Sequence, residues 1–213
     1  MVAPCGIAPH STAVRSCIMR TRTASVLALL AAAPALFAHP GPHVMGFAAG
    51  AEHPVFGLDH LLAMVAVGLL GVRCAAKGDK QALWQVPAAF MAAMAGGGLL
   101  AMAGVPMPGA EWGIALSVLV FGVLIALSSA PRTGIACAVV AAFAVLHGHA
   151  HVAEMQGSSL ASYMGGFLMT TALLHAAGVA VGWYAAQALS QGVVRTAGIG
   201  VALASLAVFA GLV

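Results

Sequence analysis

Apolar residues run along this chain in blocks about as long as a bilayer-spanning helix, and the polar residues gather in the gaps. The blocks fall at 45–72, 82–103, 110–130, 133–152, 159–187 and 193–213. They are separated by "RCAAKGDK", "AGVPMPGAE", "SSAPRTG", "AEMQGSS" and "SQGVVRTAG". The pattern predicts an all-α polytopic membrane bundle of about six transmembrane helices. The first block is too long for one plain helix. Pro54 and Gly57 interrupt it, so a short or broken segment is expected ahead of a continuous helix from about Asp59. Upstream, Arg15, Arg20 and Arg22 precede the short apolar run "ASVLALLAAAPALFA". That is the layout of a cleavable signal peptide, 1–38, with cleavage expected after Ala38 and a mature six-span transmembrane domain at 39–213. An uncleaved anchor is the alternative. Met19 opens a complete signal by itself, which would leave 1–18 untranslated.

Composition removes the competing classes. Hydrophobic residues make up 62% of the chain and charged residues 6%, far below the roughly 25% that a water-facing surface carries. The formal charge of +3 comes from scattered basic residues and gives no basis for nucleic-acid binding. Arg73, Lys77, Lys80, Arg132 and Arg195 are every Lys and Arg beyond residue 38, and all flank alternate gaps. The positive-inside rule then puts those gaps in the cytoplasm and the mature N-terminus outside. Cys5 and Cys17 belong to the leader. Cys74 and Cys137 are expected at the cytoplasmic side, so no structural disulfide is expected. Gly46/Gly50, Gly109/Gly113 and Gly178/Gly182 have the spacing of close helix packing in lipid, and a homo-oligomer stays open.

Against this background the ionisable residues stand out. Asp79 lies in the basic gap and reads as a solvated charge. Glu52, Asp59, Glu111 and Glu154 all fall at the opposite ends of the blocks. His39 and His43 at the mature N-terminus, His53 and His60 in "HPVFGLDH", and His147, His149 and His151 in "HGHAHVAE" fall there too. Ionisable groups in a span usually line a pathway or pair with one another. Glu52 alone reads as a helix-end carboxylate reaching interfacial water. Asp59 and His60 do not, because they open an apolar helix with no basic partner nearby. Met64, four residues on, reads as core packing. On a helix His147 and His151 share a face and Glu154 follows three later, which suits ligation of a divalent transition-metal ion. His149 points roughly the other way, toward interfacial water. His175, deep in the fifth block, is balanced between a packing role and a functional one. Imidazole and carboxylate without thiolate favour nickel, cobalt, zinc or copper over magnesium or calcium.

These motifs carry a resemblance. The signal ending in "AHPG", the pattern formed by His53, Pro54, Gly57, Asp59, His60 and Met64, "EWGIALSVLVFGVL" from Glu111, and "HGHAHVAE" are similar to the HupE/UreJ family of bacterial nickel permeases. The likeness covers 39–213. It implies a secondary transporter, not an enzyme, that brings Ni²⁺, or Co²⁺, across the inner membrane for hydrogenase or urease maturation. It implies a metal path using His53, Asp59, His60, His151 and Glu154, with His147 and Glu111 less directly matched. The metal is cargo, and no cofactor is expected. A membrane enzyme with a His-bound metal and a haem-binding membrane anchor are the alternatives. No GxxxxGK[ST] loop is present, so the energy is expected from an ion gradient, the membrane potential or a partner.

Overall fold

The computed structural model describes residues 46–153, 155 and 159–210. The expected leader, His39, His43 and Glu154 lie outside them. Among the described residues there are seven helices and no strand: α1 Phe47–Phe56, α2 Leu58–Ala75, α3 Ala82–Met102, α4 Ala110–Ala126, α5 Thr133–Ala153, α6 Leu160–Ala188 and α7 Gln191–Phe209. Five of them, α2, α3, α5, α6 and α7, are long and apolar enough to cross a bilayer. The sixth expected span, α4, is apolar but only 17 residues long, at the short end of what a bilayer needs. The chain is a multi-pass membrane protein.

The first block is divided as its composition predicts, but at one residue. Helix α1 runs through Pro54, which only removes the hydrogen bond that its nitrogen would give to Gly50. The break comes at Gly57, whose extended backbone ends α1 and starts α2.

Helix α2 is the centre of the bundle and is buried on nearly every side over its second half, whereas α3, α6 and α7 each bury one face. The other helices pack in pairs through glycines that meet backbone to backbone. A Cβ on Gly97 of α3 would strike Val145 O of α5, and one on Gly148 of α5 would strike Met94 O of α3. The same reciprocal arrangement joins α1 to α6 through Gly50 and Gly166, α2 to α6 through Gly68 and Gly178, and α4 to α7 through Gly122 and Gly198. In lipid there is no hydrophobic drive between helices, so close backbone approach carries much of the packing. Of the pairs expected from spacing, Gly178/Gly182 packs against α2 as anticipated. Gly109 does not pack. It holds a left-handed φ of 79° ahead of α4, with open space around it.

Among the described residues, the five Lys and Arg gather at one end. Arg73 is not a loop charge but a buried residue in the last turn of α2. Its guanidinium donates to Ile125 O at 3.0 Å, Leu127 O at 2.8 Å and Gln191 Oε1 at 3.0 Å. Arg195 Nε donates to Ala126 O at 3.1 Å. Two cations thus hold the carbonyls at the C-terminus of α4, where the helix dipole is negative. Asp79 is exposed yet bonded, accepting from Thr133 Oγ1 at 2.6 Å at the start of α5, so it is more than a solvated charge. Cys74 and Cys137 are free thiols.

Candidate metal centre

At the other end of the bundle, three helices bring their histidines to one point. His53 comes from α1, His60 from the first turn of α2, and His151 from the last turn of α5. One nitrogen from each lies within 4.8 Å of the others. The ring of His151 stands 4.5 Å from both His53 and His60 by centroid. An ion held at about 2.1 Å by three nitrogens keeps them no more than about 4.2 Å apart, so small ring rotations would close the set around one cation.

The break at Gly57 makes this possible. A Cβ there would lie 2.8 Å from His60 Nδ1 and 3.2 Å from Asp59 Oδ1. Free of it, the His60 ring folds back, and Asp59 Oδ1 accepts from both the His60 backbone N–H and Nδ1, each at 2.8 Å. With Nδ1 donating, Nε2 carries the lone pair that a metal needs. A carboxylate behind a ligating imidazole fixes its tautomer and raises its basicity. The geometry therefore places Asp59 behind the cluster, as the group that orients His60.

His147 sits one turn deeper and is fully buried, its ring centroid 5.3 Å from that of His60. Its Nε2 is 3.1 Å from Ser117 Oγ, whose own proton goes to Ile114 O at 2.6 Å. Ser117 can then only accept from the imidazole, so Nε2 is the protonated nitrogen and Nδ1 has a free lone pair. His147 Nδ1 and both nitrogens of His151 are buried with no hydrogen-bond partner among the described residues. Buried polar atoms are normally satisfied, and a row of unsatisfied imidazole nitrogens is what a site for a passing cation presents.

The remaining candidates divide. His149 is turned away from the cluster, as the helix period requires, but it is buried and its Nε2 donates to Val105 O at 2.7 Å instead of meeting water. Glu111, exposed in the first turn of α4, lines a separate cleft of about 380 Å³ with His149 and Trp112. Met64 is fully buried in the apolar core. Reading the sequence missed Ser117, although it lies within the "EWGIALSVLV" stretch. It also missed Phe167, whose ring is 4.0 Å from His151, and Tyr163, stacked on Phe167. No spacing rule marks an aromatic in an Ala-rich helix as the wall of a site.

Comparison with known proteins identifies the family. The family described as HupE / UreJ protein matches residues 27–208. Protein HupE of Rhizobium leguminosarum bv. viciae is 41% identical over 192 residues, covering 90% of this chain and 98% of that protein. No solved structure matches the chain.

Proposed function

The chain belongs to the HupE/UreJ family of metal permeases, and on that premise we propose that it is a secondary transporter for Ni²⁺, with Co²⁺ as the alternative cargo. It would act in the bacterial inner membrane with the histidine cluster facing the periplasm, and would supply a nickel enzyme such as a hydrogenase or urease. The observation that carries this reading is the meeting of His53, His60 and His151, from three helices, at the end opposite the basic residues of the described part of the chain.

The chemistry follows from the donors. Imidazole nitrogens suit a borderline cation, and neutral His adds no charge of its own. Asp59, hydrogen-bonded to His60, supplies negative charge where the dielectric falls. Glu154, three residues after His151, and Glu111 at the neighbouring cleft are assigned to the approach of the ion. Three donors without a closed cage bind weakly enough to release, as transport requires. His147, one turn deeper, receives the ion from His60.

Uptake of Ni²⁺ by cells or vesicles tests the assignment. His60→Ala should abolish uptake with the protein still in the membrane, and Asp79→Asn, at the far end, should leave it within about twofold of wild type. Wild-type uptake by His60→Ala would remove α2 from the metal path.

A further inference from the structure

Past His147 the described residues hold a second set of buried donors that the cluster does not use. His175 of α6 is 2% exposed, and neither of its ring nitrogens has a partner among the described residues. Thr171, one turn earlier, is fully buried with its Oγ1 equally unpartnered. Four residues apart on one helix, the two share a face. A histidine kept only for packing would be expected to bond a carbonyl or hydroxyl, as His149 does with Val105.

One side chain separates this set from the cluster. Phe90 of α3 is fully buried, with its ring centroid 5.3 Å from His147 and 5.2 Å from His175. His175 also borders an apolar groove of about 370 Å³, open at the bundle surface between α3 and α6, whose α3 wall includes Leu83, Trp84, Pro87 and Met91. Leu83 and Trp84 belong to the first turn of α3, so the groove beside His175 lies toward the basic end. Pro87 has no N–H to give to the carbonyl of Leu83, which leaves a main-chain oxygen without its helical donor at that end.

We propose that His175 and Thr171 form a second divalent-cation station, separated from the outer histidine cluster by the ring of Phe90 and emptying toward the basic end of the bundle. The proposal rests on the transport reading above and adds an inner stop to it. The ion leaves His147 Nδ1, passes Phe90, exchanges ligands at His175, and departs past the Leu83 carbonyl, an oxygen donor that holds nickel less well than nitrogen. A cation faces an aromatic ring without repulsion, since the ring face is negative. An apolar side chain at that point also stops water and protons from running continuously between the two stations.

The test uses the full chain with Ni²⁺ as probe. Binding is titrated on purified protein, and entry is followed in vesicles loaded with a nickel-quenched dye. In His175→Ala and His175→Gln, the Ni²⁺ concentration that half-saturates the outer cluster should shift less than twofold, while the entry rate falls at least fivefold. Gln keeps the volume and hydrogen-bonding capacity of the site but is a poor nickel ligand, so it carries the test if the Ala variant does not fold. A smaller loss of entry in the Gln variant, or a loss of outer binding as large as the loss of entry, overturns the proposal. His60→Ala in the same vesicles reports separately on the outer cluster. If that variant and wild type carry nickel alike, α2 leaves the metal path; if wild type itself carries none, the transport reading fails, whatever His175 does.

Discussion

Asp59 Oδ1 decides which nitrogen of His60 can reach a metal, because it holds both the backbone N–H and Nδ1 of that residue. The arrangement leads to a prediction for a residue with no side chain. Gly57→Ala would place a methyl 2.8 Å from His60 Nδ1 and force the ring off the carboxylate while leaving every donor atom in the protein. Nickel affinity should fall about 10–100-fold, the usual cost of losing an outer partner of a metal-ligating histidine. Calorimetric titration of the purified variant would show it, and an unchanged affinity would mean that the Asp59 contact does not prepare the ligand. At this scale much of the site was legible in the sequence. His53 and His60 flank Asp59 in one short motif, and His147 and His151 share a face by helical period alone. Ser117 and Phe90 were not legible, because their roles come from helices that meet them only after folding. Asp59 was visible as a metal-site residue, but its position behind His60 depends on a side-chain rotation that no spacing encodes.

At the scale of helices, the glycine crossings set the geometry that the histidines need. Gly148 lies between His147 and His149, and a Cβ there would come 2.7 Å from the Met94 carbonyl carbon. Backbone cannot yield as a flexible side chain can, so Gly148→Ala should destabilise the protein by about 1–3 kcal/mol, the range for overpacking a filled interface. It should also weaken nickel binding, since α5 would shift from α3 carrying His147 and His151 with it. Gly200→Ala is the control. It meets nothing within 4 Å and removes a helix-interior glycine, so it should be neutral or slightly stabilising. Thermal unfolding in detergent compares the two, and equal melting would refute the packing argument. Helix existence and approximate bounds were readable from hydropathy, because lipid leaves the backbone no alternative to helix. Which glycines cross was not readable. Glycine is abundant here, and Gly109, with the right spacing, turns out to start a helix instead.

Across the whole molecule, charge and chemistry sit at opposite ends. Arg73 and Arg195 both bond the C-terminus of α4, and Asp79 reaches the start of α5, so these two arginines share one end by contact as well as by sequence count. With that end cytoplasmic, reporter fusions after Lys80, Arg132 and Arg195 should read inside, and fusions within 104–109 or 154–158 should read outside. One inverted pair of loops would reverse the direction in which the cluster meets its metal. This expected orientation rests on the asymmetry of charge in the sequence. The buried place of Arg73 was not legible there, because the positive-inside rule counts charges without asking what they hold.

The reciprocal glycines also divide the bundle into stiff parts. Backbone contact locks α1 and α2 to α6, and α3 to α5, but no reciprocal glycine pair among the described residues joins α1 or α2 to α5. The ligands are divided along the same line, with His53 and His60 on one clamped body and His147 and His151 on the other. On the transport reading, the width of that seam would be a mechanical coordinate of the candidate site. An ion bound by both bodies is a clasp across a joint, and spreading the joint by about an ångström is enough to open a bond of about 2.1 Å.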